Sequence, residues 1–208
     1  VYGGMDGVIT TFAVVMGASG ANLTIGVVVI LGLANMLGDG VSMALGDFLS
    51  TKAENQCNMR EKEREEWEVE NNPEGEINEM IEIYMSRGLD EEDSTLMAQT
   101  LAKNKKAWVD IMMLEELGIV VSTESPVKSA IITFFSFIIF GIIPLIPFII
   151  SLIAVGSEVS LMPVSLALTG FSLFLLGAVK SIFTGQRFII AGSETLFVGA
   201  IAASFAFL

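Results

Sequence analysis

Apolar residues come in long runs at both ends of the chain and give way to a charged stretch between them. A helix that crosses about 30 Å of hydrocarbon needs roughly 20 apolar residues at 1.5 Å each. Five stretches reach that length, approximately 1–21, 24–49, 127–153, 161–183 and 188–208. The first two are joined only by Asn22-Leu23, an uncharged turn so short that it forces an antiparallel hairpin. The third contains Gly141-Ile142-Ile143-Pro144-Leu145-Ile146-Pro147, and because each proline removes a backbone donor a bend or break is predicted there.

The charged stretch reads as helix. From residue 52 to about 70 there is no Gly or Pro and the residues are good helix formers, so the second span is predicted to run straight on out of the membrane. Asn71-Asn72-Pro73 stops it, and Pro73 with Glu74 suits a new helix start. A second helix, about 74–87, ends at Gly88, and a third runs from Asp90 or Asp93 to Leu117 with Gly118 as its cap. Met80, Ile83 and Tyr84 on one, with Met97, Leu101 and Trp108 on the other, supply apolar stripes that pack together. The predicted fold is all-α: a multi-pass membrane protein with five transmembrane helices and a compact three-helix cytoplasmic domain inserted between helices two and three. The divisions fall at 1–51, 52–126 and 127–208, and no internal repeat is present.

Composition agrees with a membrane chain, at 52% hydrophobic residues, 17% charged and a mean hydropathy of +0.67. Of 24 Asp and Glu, 19 lie between Lys52 and Lys128, together with nine of the 11 Lys and Arg. The remaining basic residues, Lys180 and Arg187, sit at the loop between spans four and five, so with alternating loops every basic residue maps to one side. By the positive-inside rule that side, with the N-terminus and the acidic block, is cytoplasmic, and the C-terminus is opposite. Val1 and Leu208 fall inside apolar segments, so terminal tails are expected to be missing from this stretch, and no targeting signal is visible. With no histidine and a single cysteine, Cys57, the chain cannot build a histidine-ligated zinc or haem site, a Ser-His-Asp triad, an intramolecular disulfide or a cysteine cluster. A net charge of −13 argues against nucleic acid and towards cations.

Within the second span Asn35, Asp39, Met43 and Asp47 recur every four residues and form one polar stripe, beside a small-residue face of Gly38, Ser42 and Gly46. Carboxylates at membrane depth are costly and mark an ion or proton pathway; the competing reading is that Asp39 and Asp47 only cap and pair near the helix end. Tyr2, Asp6 and Thr10 share one face of the first span, where Asp6 either serves a path or pairs with a backbone donor or Lys180. Glu194, between Ser193 and Thr195 of the fifth span, either takes a proton or hydrogen-bonds a neighbouring helix. In the acidic block Glu61, Glu65 and Glu68 lie on one helical face and Glu76, Glu79 and Glu82 on the next. Two such faces can chelate an oxygen-loving divalent ion, or they can be solvated faces with internal Glu-Lys pairs. Met112 and Met113, one turn before Glu116 and beside Trp108 and Asp110, are either core packing or the thioether part of a mixed site for a borderline ion such as Fe(II).

These residues carry a resemblance that covers nearly the whole chain. The segments are Asp6-Gly7 with Ser19-Gly20-Ala21-Asn22, Ser42-Met43, the Glu-rich insertion, Trp108-Val109-Asp110-Ile111-Met112-Met113-Leu114-Glu115-Glu116-Leu117-Gly118, and Pro144-Leu145-Ile146-Pro147. Together they resemble the vacuolar iron transporter family, with its plant vacuolar transporters and the yeast vacuolar iron and manganese importer. The resemblance implies a homodimer that exchanges cytoplasmic Fe(II), and Mn(II), for protons of an acidic compartment. It also implies that Asp6 and Met43 line a central path at the dimer interface, and that Glu65, Glu68, Glu76, Glu79, Met112 and Glu116, with Met113 adjacent, bind metal in the cytoplasmic domain. Asn35 stands where plant members can carry glutamate, so the coupling of protons falls to Asp39, Asp47 or Glu194. The membrane implied is vacuolar in a eukaryote and the cell membrane in a prokaryote.

Under that reading the metal binds the glutamate and methionine shell, passes to Asp6 and Met43, and is released when intramembrane carboxylates are protonated. Fe(III) is expected to be a poor substrate because thioether sulfur contributes little to so hard an ion. Pro144, Pro147 and the glycines are candidate hinges. The expected partners are a second copy of the chain, membrane lipid, metal ions and protons, with no resident cofactor. A membrane-anchored metal sensor or buffer is the alternative, and the polar stripe, which an anchor does not need, separates the two. A membrane enzyme has no evident reaction centre.

Overall fold

The computed structural model describes residues 1–120, 124–154 and 160–207. The end of the predicted insertion at 121–123, the predicted loop residues 155–159 and the last residue of the fifth predicted span, Leu208, lie outside them. The described elements are helical: α1 (Tyr2–Gly20), α2 (Ile25–Asn71), α3 (Pro73–Ser86), α4 (Glu91–Leu101), α5 (Lys105–Glu115), α6 (Pro126–Gly141), a 3-10 turn (Ile143–Leu145), α7 (Ile146–Ile153), α8 (Leu161–Thr184) and α9 (Phe188–Phe207). The chain forms two compact units, Val1–Phe48 with Pro126–Leu208, and Leu49–Ser125.

The first unit is an integral membrane body. Among the described residues three helical stretches are long and apolar enough to cross a membrane, Ile25–Asn71, Pro126–Ile153 across its break, and Leu161–Thr184, with Phe188–Ala202 a shorter apolar helix. Ile30, Leu37, Ile139, Phe171, Ile182 and Phe197 are all more than half exposed, a surface suited to lipid and not to water. The hairpin turn is made as its sequence requires. Asn22 takes a left-handed φ of 56°, which Asn tolerates, while its N–H bonds Ser19 O and the Leu23 N–H bonds Ala18 O, so two orphan carbonyls of α1 are satisfied. The proline-rich segment breaks as predicted: α6 stops at Gly141, the 3-10 turn follows, and α7 starts with Pro147 in its first turn. The Ser165 hydroxyl of α8 donates to the Pro144 carbonyl at 2.8 Å, so a buried acceptor at the break is satisfied by a neighbouring helix.

Small residues set the helix spacing. A Cβ on Gly7 would lie 2.4 Å from the Phe137 carbonyl oxygen of α6, and one on Gly177 of α8 2.5 Å from the Ala191 carbonyl oxygen of α9, so these backbones touch. Val15, Ala18, Val28, Val29, Leu145 and Phe148 form one buried cluster, and Val8 packs with Leu173 and Leu176 in another.

In the second unit the tail of α2 runs unbroken to Asn71, giving a helix of 47 residues. Pro73 opens α3, and Gly88 at φ +101° follows its end. The predicted third helix is two. The α4 segment stops at Leu101, and Asn104 becomes a new N-cap whose Oδ1 accepts from the Ala107 N–H at 3.1 Å, starting α5. The core joins Val69, Met80, Tyr84, Ala98, Trp108, Val109, Met112 and Met113. Met97, expected inside, is 41% exposed; the inward face of α4 is Ser94, Ala98 and Leu101, one residue further round.

Gly7→Ala is expected to lower stability by about 1–3 kcal/mol, because a backbone oxygen cannot yield without parting α1 from α6. Gly17→Ala, where a Cβ meets nothing within 4 Å, should be neutral or slightly stabilising. Thermal unfolding of the two variants in detergent checks the contrast.

Candidate metal centre

Three glutamates far apart in sequence converge in the second unit. Glu65 is on the tail of α2, Glu76 in the first turn of α3, and Glu116 caps the C-terminus of α5. The stop at Asn71 and the restart at Pro73 fold α3 back, which brings Glu76 to Glu65 although 11 residues separate them. Each carboxylate offers an oxygen, and these atoms lie within 4.8 Å of one another. Glu65 is fully buried and Glu76 5% exposed, while Glu116 is the least buried. One oxygen of Glu65 and one of Glu76, both Oε2, are buried without a hydrogen-bond partner. Such atoms are costly unless another species satisfies them.

The electrostatics follow from this placement. Burial raises the Glu65 carboxyl above its ordinary range, with the charge of Glu68 adding to the effect. Burial, then Glu65 and Glu79, pushes Glu76 up to about 7. Burial, then Glu65, Glu79, Glu76 and Glu68, pushes Glu116 up to about 7. Its place at a helix C-terminus, the negative end of the macrodipole, also disfavours its charge. Glu68 is half-buried and Glu79 exposed, so both add negative potential beside the cluster. Positive charge comes from Arg64, whose Nη2 is 3.4 Å from Glu65 Oε1. Met112 and Met113 are fully buried in the apolar core with Trp108 and Met80, as the packing alternative required; Met112 lies one turn before Glu116, and its carbonyl accepts the Glu116 N–H at 3.0 Å.

In the membrane unit the polar stripe divides by partner. Asp6, Asn35, Asp39 and Met43 are half-buried; Asn35 Nδ2 donates to Asp39 Oδ2 at 2.8 Å, and Asp39 is near enough to Asp6 for their charges to interact. Asp47 instead accepts from Ser129 Oγ at 2.7 Å and Thr133 Oγ1 at 3.0 Å, tying α2 to α6. Lys180 lies 4.0 Å from Glu194, which is 54% exposed, so the lysine considered for Asp6 faces Glu194.

Three partners escaped the sequence reading: Ser129, Thr133 and Arg64. The hydroxyls stand four residues apart on α6, a spacing that presents both to one acceptor, and Arg64 follows Glu61 by three and precedes Glu68 by four.

A family model described as the VIT family matches residues 1–208. A protein named vacuolar iron transporter from Toxoplasma gondii is 40% identical over 90% of this chain, which spans 64% of that protein's length. One of the same name from Plasmodium falciparum is 38% identical over the whole chain and 78% of its own length, and vacuolar iron transporter 1 of Arabidopsis thaliana 34% identical over the whole chain and 82% of its own length. A match over the full length makes this chain a member of the VIT family.

Proposed function

We propose that this protein moves Fe(II), and also Mn(II), out of the cytoplasm in exchange for protons, as a homodimer whose subunits each cross the membrane five times with the acidic unit on the cytoplasmic side. The observation that carries the reading is the triad of Glu65, Glu76 and Glu116, two of them buried and each of those two with an unpartnered oxygen, in a family whose relatives are named for iron transport. A hard or borderline divalent cation matches that donor set, and Glu68, Glu79 and the methionines Met112 and Met113 complete the shell we assign to it. The excess of acidic over basic residues in the 52–128 block draws cations towards it.

From there the metal passes to Asp6 and Met43 in the membrane, a carboxylate and a thioether that suit Fe(II) and give little advantage to Fe(III). Asp39, hydrogen-bonded by Asn35 and in electrostatic reach of Asp6, is the carboxylate we assign to proton exchange, with Glu194 as a further candidate. Asp47 is already held by two hydroxyls and suits a structural role. The membrane is vacuolar or its equivalent, after the relatives' names.

In proteoliposomes under a pH gradient, the intact protein should move Fe(II) one way and protons the other, and Asp6→Ala should abolish both fluxes while leaving metal binding by the glutamates intact. Binding without either flux would instead make the chain a membrane-anchored metal store or sensor.

The cluster also carries a pH dependence. Glu76 and Glu116 titrate near 7 in the folded chain against 4.5 in an ordinary one, so the folded state holds protons that the unfolded state has lost. Raised carboxyl pKa values give stability that is present at low pH and lost as pH rises from about 4.5 through about 7, so the metal-free protein should unfold more easily at pH 8 than at pH 5 as far as these groups decide it. Metal needs the ionised form, so Mn(II) affinity should fall roughly tenfold or more per pH unit below about 7. Calorimetric titration across that range checks the slope, and Glu76→Gln should flatten it while weakening binding.

A further inference from the structure

A cation site gains from excluding other cations, yet Arg64 lies directly against this one. Its guanidinium meets three carboxylates of α2 at once: Nη1 is 2.8 Å from Glu61 Oε2, Nη2 3.4 Å from Glu65 Oε1, and Nε 3.7 Å from Glu68 Oε2. Only the contact to Glu61 has the length of a strong charge-assisted hydrogen bond. Glu65 and Glu68 belong to the assigned metal shell and Glu61 does not. The guanidinium therefore straddles two metal carboxylates and one carboxylate outside the shell. It satisfies only one side of the cluster, because Glu65 Oε2 and Glu76 Oε2 stay buried and unpartnered. An arginine that served only to brace the helix would need no more than its neighbours three and four residues away, Glu61 and Glu68. This one also leans on Glu65, the fully buried carboxylate of the triad.

We propose that Arg64 is a built-in competitor of the metal: it holds Glu65 and Glu68 when no metal is bound and withdraws onto Glu61 when a divalent ion arrives, which keeps the ion loosely enough bound to be passed on. The proposal rests on the reading of Glu65, Glu76 and Glu116 as a divalent-cation site. A guanidinium stays charged at any physiological pH, so unlike a proton it cannot leave when the metal binds. It must move, and it remains close enough to repel the ion it has admitted. Glu61 makes that movement short, since the shortest of the three contacts is already made to it. A shell of several carboxylates without such a competitor would hold a divalent ion tightly, which suits a store; a site that hands its ion on requires easy release.

The test is calorimetric titration of the full chain in detergent with Mn(II), at a pH above the cluster's own titration. Arg64→Gln is expected to tighten binding roughly tenfold, because one positive charge leaves the edge of the shell. Glu61→Gln should weaken it by a factor of about three to ten, since the guanidinium loses its place of withdrawal. The double variant should bind as tightly as Arg64→Gln alone, because Glu61 acts only through Arg64. Arg64→Lys, which keeps the charge without the fork, should stay within about threefold of the parent. Unchanged or weaker binding in Arg64→Gln overturns the proposal, as does an equal effect of Glu61→Gln with and without Arg64. The Arg64 side chain is 48% exposed, so its replacement should fold, and thermal unfolding checks that. If it does not fold, Glu61→Gln decides alone: weaker binding supports the competitor and unchanged binding overturns it. Absence of Mn(II) binding in the parent and in Arg64→Gln alike would overturn the metal-site reading itself, and the competitor with it.

Discussion

Repulsion among carboxylates held within 4.8 Å of one another is the constraint around which the acidic unit is organised. Three like charges do not stay together in a buried place unless something forces them, and here the force comes from the apolar side of the same helices. Met80 and Tyr84 of α3, and Trp108, Val109, Met112 and Met113 of α5, pack with Val69 of α2, so the helices that carry Glu65, Glu76 and Glu116 are fixed by burial and not by the glutamates themselves. Ion pairs at the edges, Lys62 to Asp110 and Arg87 to Glu115, join the same helices from outside. Both are partly exposed and add little energy, but they set register. What the core compels, the site must then balance with positive charge: protons and the Arg64 guanidinium supply it, and under the proposed function a divalent ion would add to them.

The membrane unit answers many of its polar groups from within. Asp47 receives two hydroxyls from α6, the Pro144 carbonyl receives Ser165, and the hydroxyls of Thr10, Ser172 and Thr195 return to carbonyls four residues back on their own helices. In a medium without water each of these is a structural necessity. Thr11, Ser19 and Thr169 there keep a buried hydroxyl without a partner, but the unanswered oxygens of Glu65 and Glu76 belong to carboxylates, and the half-buried Asp6 and Asp39, close enough to repel, are the membrane groups that most resemble them. The contrast separates carboxylates that hold the fold from carboxylates left free to act. By that criterion Asp47, which spacing alone placed in the polar stripe, falls on the structural side.

Much of this was legible because period and punctuation are local. Runs of apolar residues gave the long helices, Pro73, Gly88 and Gly118 marked helix ends, Pro144 and Pro147 marked the break, and spacings of three and four put Glu65 and Glu68 on one face. What escaped depended on choices between near-equal local options or on contacts across the fold. Asn104 can sit inside a helix or cap one, and only the packing of Trp108 and Ala98 into one core favours the cap that splits the predicted third helix. Met97 and Ala98 are adjacent, so a rotation of one residue decided which went inside. Glu116 joins Glu65 across 51 positions, and Asp47 joins Ser129 across 82, distances over which helical period says nothing. For Glu116 the spacing from Met112 and Met113 pointed to a candidate mixed site, and the resemblance to a known family joined it to Glu65 and Glu76.

Where protons leave also limits how the exchange can be divided. Burial and the neighbouring carboxylates push Glu76 and Glu116 up to about 7, so under the proposed function a divalent ion entering on the cytoplasmic side would displace protons from them into the cytoplasm. Protons released there cannot be the ones drawn from an acidic compartment. Under the proposed function the cluster would tune capture, and we assign the exchange itself to carboxylates within the membrane body, where Asp6 and Asp39 interact. On that proposal two acid groups in one chain have different work set by their surroundings: one surrenders protons to take an ion, the other takes protons to give it up.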